Sequence, residues 1–288
     1  MTDYPLKLIF KIALVIFMAG NMSAMGLQLS ISDACRPLRS VRFVLTSLII
    51  GFVIGPAISQ LVVFFVPMEQ PYATGLLLLG MTPCAPFLPL VVRRANGDLA
   101  AAAGLTLLAS VGTILIMPLL VPMVAAGLPV SALSIARPLA ILILLPLAAG
   151  TAIKSIWTAF AKRIYFYVNR ITAIGTIMFV CMVLILNFQR FIGSIGSHAL
   201  LAELLYVPAM AFVGYVSGVG MPAGRRSVIS LGMCTRNVGA AAAIVGTDGD
   251  QRTMVMLVIA TFVTIAVSAG AASWFAGATP KAPTDDTA

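Results

Sequence analysis

The chain has 288 residues, 60% of them hydrophobic and only 9% charged, with a mean hydropathy of +1.07 and a net charge of +9. Soluble domains carry about a quarter charged residues, so this composition excludes a soluble globular protein. Apolar runs of roughly 20 residues recur from end to end, too long and too uniform for the alternating strands of a transmembrane barrel, and they point to an all-α polytopic membrane protein.

In chain order the sequence predicts nine spans, at 8–28, 42–66, 72–94, 99–127, 131–153, 171–190, 199–221, 227–246 and 253–276. Thr2, Asp3 and Tyr4 stand where a signal peptide would carry a basic segment, so no removable leader is expected. The high positive charge would suggest nucleic acid in a soluble protein; here the basic residues sit in short loops and report orientation, and no nucleic-acid partner is expected. Arg36, Arg39, Arg42, Arg93, Arg94, Lys154, Lys162, Arg163, Arg170, Arg225, Arg226 and Lys281 fall on one side, 12 of the 18 Lys and Arg. Lys7, Lys11, Arg137, Arg190 and Arg252 fall on the other, and Arg236 lies within a span. The excess marks the cytoplasmic side, which gives a multi-pass protein of the cell inner membrane with its N-terminus outside and its C-terminus cytoplasmic. Residues 1–278 form a single transmembrane domain in this reading, and 279–288, with Pro280, Asp285 and Asp286, a disordered cytoplasmic tail. Cys84, Cys181 and Cys234 fall inside spans and Cys35 just after one, without any C-x-x-C spacing, so neither disulfides nor zinc are expected.

The chain matches itself at an offset of 152 residues. Pro56 and Ala57 match Pro208 and Ala209; Leu79, Gly80 and Met81 match Leu231, Gly232 and Met233; Gly97 and Asp98 match Gly249 and Asp250. Spans two to four thus resemble spans seven to nine. Five spans separate equivalent helices, an odd number, so the copies enter the membrane from opposite sides as an inverted repeat. Both copies break at the same place. After the first Leu-Gly-Met come Pro83, Pro86 and Pro89, which remove three helix donors; after the second come Thr235, Arg236 and Asn237, which put a charge and two polar groups in mid-span. Matching breaks in inverted halves point to a substrate site.

Other polar residues within spans recur on single helix faces: Thr106, Ser110 and Thr113 in the fourth span, and Thr261, Thr264 and Ser268 in the ninth. Asn21 sits on the first. Each stripe either lines a pathway or bonds a backbone carbonyl. The single histidine, His198, lies in an external loop, which excludes an H-E-x-x-H metal site and a histidine-based triad. No second mid-span carboxylate completes a dyad with Asp248 or Asp250, and no Walker-type loop occurs, so the chain does not read as an enzyme.

These residues together resemble the bile acid:sodium symporter family, within the wider sodium bile acid symporter-like superfamily, in a divergent bacterial-type form. The resemblance rests on Met25-Gly26-Leu27, Pro83, Gly97-Asp98, Pro118, Gly232-Met233, Asn237 and Gly239 in order and spacing, and covers nearly the whole chain. It implies two inverted repeats, here similar with the first helix missing. It also implies a core of 42–127 and 199–276 in which two broken helices cross, and a panel of 8–28, 131–153 and 171–190. In sodium-coupled members a Ser-Asn pair and a glutamate hold sodium; the matching positions here carry Leu88, Pro89 and Ser230, and Ala102 replaces another ligand while Thr106 retains a hydroxyl. A hard cation needs several oxygen ligands, preferably one charged, so the family's sodium sites are expected to be absent and no cofactor is expected. Sodium stays open through backbone carbonyls alone.

The expected function is secondary transport of a small organic anion by alternating access. Arg236 would provide fixed charge, with Asn237, Thr235, Thr82, Thr106, Ser110 and Asn21 completing the substrate-binding set. The competing class is a membrane binding or sensory protein without transport, in which Arg236 locks the break.

Overall fold

The computed structural model describes residues 3–124, 132–193, 196–246 and 249–278; the tail 279–288 lies outside them. Every regular element of the described chain is a helix. The first span is α1 (Asp3–Gln28), followed by the short α2 (Ile31–Leu38). The second span joins α3 (Val41–Ile49) to α4 (Gly55–Phe65) through a π-helical stretch, Ile50–Ile54. The third is broken into α5 (Gln70–Gly80) and α6 (Leu88–Arg94), and the fourth is α7 (Leu99–Val124). The fifth joins α8 (Ala132–Leu139) to α9 (Leu145–Ile156) through a second π-helical stretch, Ala140–Leu144. The sixth is α10 (Thr158–Gly193) and the seventh α11 (Ala199–Ser217). The eighth is broken into α12 (Ala223–Cys234) and α13 (Val238–Val245), and the ninth is α14 (Gln251–Ala278). Seven of these runs are long and apolar enough to cross a membrane uninterrupted. With the two broken spans they account, among the described residues, for the nine crossings read from the sequence.

Two elements depart from that reading. Helix α2 was not expected; it buries Ala34 and Pro37 while exposing Arg36, and the Ala34 carbonyl is held against Gly104 of α7. Helix α10 begins at Thr158, well before 171, and its apolar window is Thr158–Met182. Lys162, Arg163 and Arg170 masked its start, because long basic side chains lay their apolar stems along a helix and carry their charges outward.

Both π-helical stretches have a proline cause. Pro56 and Pro146 lack the N–H that would continue the ladder, so the register slips by one residue: the Gly55 N–H bonds the Ile50 carbonyl and the Leu145 N–H the Ala140 carbonyl.

Helix α1 packs along α9 and α10. Its approach to α9 is set by glycine on both sides, since a Cβ on Gly26 would fall 2.5 Å from the Leu147 carbonyl oxygen and one on Gly150 2.7 Å from that of Ser23. Phe17 stacks on Phe179 of α10 with ring centroids 4.9 Å apart. Elsewhere α11 lies against α12 and α14, and α5 against α4 and α14. Each half of the repeat therefore reads long helix, broken helix, long helix. The repeated Gly-Asp pairs start the last helix of each half: Asp98 Oδ1 accepts from the Ala101 N–H at 2.9 Å, and Asp250 Oδ1 from the Arg252 N–H at 2.8 Å.

Candidate functional site

The two breaks meet. Pro83 and Arg236 form an isolated antiparallel β-bridge, and the Asn237 N–H donates to the Thr82 carbonyl at 2.9 Å. Extended backbone inside a membrane domain needs partners, and each break supplies the other's. Local side chains complete the frame. Thr82 Oγ1 donates to the Leu79 carbonyl (3.2 Å) and Thr235 Oγ1 to that of Leu231 (2.9 Å), each covering a carbonyl at the end of its half-helix. Asn237 Oδ1 accepts from the Ala240 N–H at 3.1 Å and so caps α13. Cys84 adopts a left-handed backbone, φ +64°, and its Sγ lies 3.4 Å from Thr106 Oγ1, which itself donates to the Ala102 carbonyl.

A cavity of about 170 Å³ opens beside this crossing. One wall comes from Phe17, Met18, Asn21 and Met22 of α1, Ile143 of the second π-helical stretch and Thr176 of α10. The other comes from Ala85, Pro86 and Phe87 of the first break, Arg236 to Gly239 of the second, and Thr261, Thr264 and Ile265 of α14. Thr264 Oγ1 is buried and has no hydrogen-bond partner. A second cavity of about 470 Å³ shares Asn21, Pro86 and Phe87 with the first and extends to Gln28, Arg93, Tyr165 and Asn169. Its lining reaches Arg93 at the end of α6, beside the basic pair Arg93-Arg94.

Of the residues expected to bind substrate, the structure brings Asn21, Arg236 and Asn237 to the cavity. Thr82, Thr235 and Thr106 are fully buried, with their hydroxyls on backbone carbonyls, and Ser110 is buried on α7; none of these four lines either cavity. The α14 stripe divides: Thr261 and Thr264 line the wall, while Ser268 donates to the Ile265 carbonyl. Sequence reasoning passed over Phe17, Phe87, Thr176, Tyr165 and Asn169. Their signal was the spacing of Phe17 and Asn21 at i, i+4, and of Asn169, Thr172 and Thr176 at i, i+3, i+7, a stripe that the late start assigned to the sixth span cut short.

Arg236 is 1% exposed although it carries a full charge. Its Cζ lies 5.1 Å from the centroid of the Tyr206 ring, and its Nη1 lies beside Gly55, 3.4 Å from where a Cβ would stand. A side chain at position 55 would compete with the guanidinium for that space. None of its three nitrogens has a hydrogen-bond partner, and the same is true of both Glu203 carboxylate oxygens and the Tyr206 hydroxyl. Arg236 is close enough for its charge to act on Glu203, Tyr206, Cys84 and Cys234, without closing to ion-pair distance of Glu203.

The structure shows what stands at the positions that match the family's sodium ligands. Leu88 and Ala102 are fully buried carbon, and the Ser230 hydroxyl is engaged on the Ala211 carbonyl at 2.8 Å.

Comparison with known proteins agrees with this architecture. The chain is similar to the rice (Oryza sativa subsp. japonica) protein named "Probable sodium/metabolite cotransporter BASS2, chloroplastic", 26% identical over 224 residues that cover 76% of this chain and 53% of the relative. It is also similar to the Arabidopsis thaliana protein named "Probable sodium/metabolite cotransporter BASS1, chloroplastic", 27% identical over 226 residues, 74% of this chain and 54% of the relative. The chain thus spans about half the length of the curated relatives it matches. The sequence pattern of the Sodium Bile acid symporter family matches residues 14–194, from the α1 wall of the cavity through the first break to α10. With that match over more than half of its length, this membrane protein of crossed, broken helices belongs to the sodium bile acid symporter family.

Proposed function

We propose that this chain is a secondary carrier that moves a small organic anion by alternating access, with a core of α3 to α7 and α11 to α14 rocking against a panel of α1 and α8 to α10. The observation that carries the reading is the cavity between those two groups, at the point where the breaks cross. Transporter sites lie where discontinuous helices meet and where one group of helices can move against another. The names of the two plastid relatives support the carrier class.

The wall chemistry suggests the solute. Phe17, Met18, Met22, Phe87 and Ile143 suit an apolar body, and a few convergent polar groups suit one charged end. Helix α13 starts on the wall, so its positive dipole end faces the cavity, and Arg236 adds a full positive charge behind it. In this reading Asn21, Asn237, Thr176, Thr261 and Thr264 orient the anion, while Thr82, Thr235, Thr106 and Ser110 hold the frame. Side chains give sodium no role. With the N-terminus outside and the protein in a cell inner membrane, the larger cavity opens to the cytoplasm.

The test is uptake by the reconstituted chain of labelled acetate, succinate and methanesulfonate. Time-dependent accumulation above that of protein-free vesicles is expected. Saturable binding without accumulation would replace the carrier with a membrane binding protein.

A further inference from the structure

We propose that Glu203 is a proton-binding site and that a proton held there travels with the transported anion. The inference rests on the carrier reading and adds its coupling ion. Glu203 and Tyr206 are one turn apart on the buried face of α11, and Glu203 is fully buried with both carboxylate oxygens unpartnered. A carboxylate in such surroundings has two ways to lose its exposed charge: it takes up a proton, or it pairs with a cation within reach.

The groups that face it are few. Helix α11 packs against α12, α14, α4 and α5. The second break brings Arg236, and α11 itself brings Tyr206. Toward the other end of α5, Glu69 is held by Arg252 at the start of α14, with Asp250 and Tyr72 beside them. At the far end of α12, Arg225 is on Asp98 and Arg226 on the Tyr215 ring. His198, just before α11, turns its ring to the Pro67 carbonyl. The charge that acts on Glu203 is therefore that of Arg236.

Arg236 belongs to the cavity wall, and this links the two sites. With a proton on Glu203, the guanidinium on the Tyr206 ring is uncompensated, and its field favours an anion in the cavity. Once Glu203 releases the proton, its carboxylate cancels that charge and draws Arg236 toward α11, and the anion is released. Proton and anion each favour the other's binding by the same factor, as linkage requires. The bridge from Arg236 to Pro83 carries the displacement into the first break. One proton moves with one anionic charge, so the step is electroneutral.

Infrared spectroscopy of the purified full-length chain reads the site directly, through the carbonyl stretch of a protonated carboxyl group followed from mildly acidic to mildly alkaline pH. The wild-type minus Glu203→Gln difference is expected to contain one band that vanishes as pH rises. A flat difference overturns the proton site. Removing Glu203 strands the Arg236 charge, so if Glu203→Gln does not fold, the double variant Glu203→Gln/Arg236→Gln provides the subtraction. In proteoliposomes, an inward proton gradient is expected to raise wild-type accumulation of the transported member of the acetate, succinate and methanesulfonate set about tenfold per pH unit for one proton per cycle. Accumulation that ignores the gradient overturns the coupling. If none of the three anions accumulates under any gradient, the carrier reading falls and the coupling with it, whereas the infrared band still decides the proton site on its own.

Discussion

The segments 81–87 and 235–237 interrupt equivalent spans in the two halves of the molecule, and they do so by different chemistry. The first is long, carries Pro83 and Pro86 with Pro89 just inside α6, and bends through a left-handed Cys84. Its helix ends because donors are missing, a covalent cause that no solvent or partner can reverse. The second is three residues long and has no proline. There Thr235 is extended at φ −82°, and the polar side chains of Thr235 and Asn237 take over backbone groups that a continuous helix would have used. The difference teaches a division of labour: a rigid half supplies the template, and a half held by side chains carries the charge.

The comparison breaks most severely at Arg236. Arg236→Ala deletes a fully buried side chain from the Tyr206 ring, and large-to-small changes in a core cost about 2–5 kcal/mol. Thermal denaturation in detergent should show that loss, and uptake of the acetate, succinate and methanesulfonate set should vanish. Arg236→Lys keeps the charge without the planar fork and should retain most of the stability with weaker uptake. Full transport by a stable Arg236→Ala variant would sink the anion-binding role.

This asymmetry also explains what the sequence could and could not reveal. Three prolines in mid-span and an Arg-Asn pair at the same repeat position are readable because they violate what a membrane helix tolerates. The crossing of the breaks followed from the family resemblance, and the Pro83 to Arg236 bridge gives it geometry. The Gly-Asp repeats were readable as a pattern, although not as the helix caps they form. The identity of the cavity wall was less legible. Thr82, Thr106 and Thr235 look like ligands in a list of polar residues, yet a hydroxyl in a helix can turn to its own i−3 or i−4 carbonyl, and sequence does not say which way it turns. Phe17 and Phe87 were passed over for the opposite reason, since an aromatic residue in an apolar span is indistinguishable from lipid-facing bulk until packing places it. The Tyr206 ring beside the Arg236 guanidinium has no signature in the sequence for the same reason.

The next largest effects belong to Asn237. Asn237→Ala removes the α13 cap and should cost about 1 kcal/mol in thermal stability, together with a loss of uptake. Asn237→Asp is the sharper variant, because aspartate caps a helix as well as asparagine does. Its stability should stay near wild type while a negative charge on the cavity wall abolishes anion uptake. Equal uptake by the Asp variant would mean that the second break does not read anionic charge.

In the first break the corresponding test is of the backbone alone. Cys84→Ala and Cys84→Gly both delete the thiol beside Thr106, but only glycine adopts φ +64° without strain. The Gly variant should be more stable than the Ala variant by about 1 kcal/mol in thermal denaturation. No comparable glycine preference is expected at Thr235, whose φ is negative.

The smallest effect expected is that of sodium, and it tests both breaks at once. A monovalent cation held between crossing helices needs oxygen ligands from each of them. On the first side Leu88 offers carbon and Pro89 a ring; on the second Ser230, whose hydroxyl donates to the Ala211 carbonyl at 2.8 Å, brings a neutral oxygen and no carboxylate. Thr106 has given its hydroxyl hydrogen to the Ala102 carbonyl and accepts from the Cys84 thiol, so its oxygen is engaged twice. In the proposed reading Arg236 takes that place, a cation on a covalent tether whose occupancy does not depend on salt. Anion binding in sodium should therefore match binding in choline at equal ionic strength. A gain of tenfold with sodium, about 1.4 kcal/mol, would show that backbone carbonyls build the site that the side chains do not, and that Arg236 works beside a mobile cation and not in place of one.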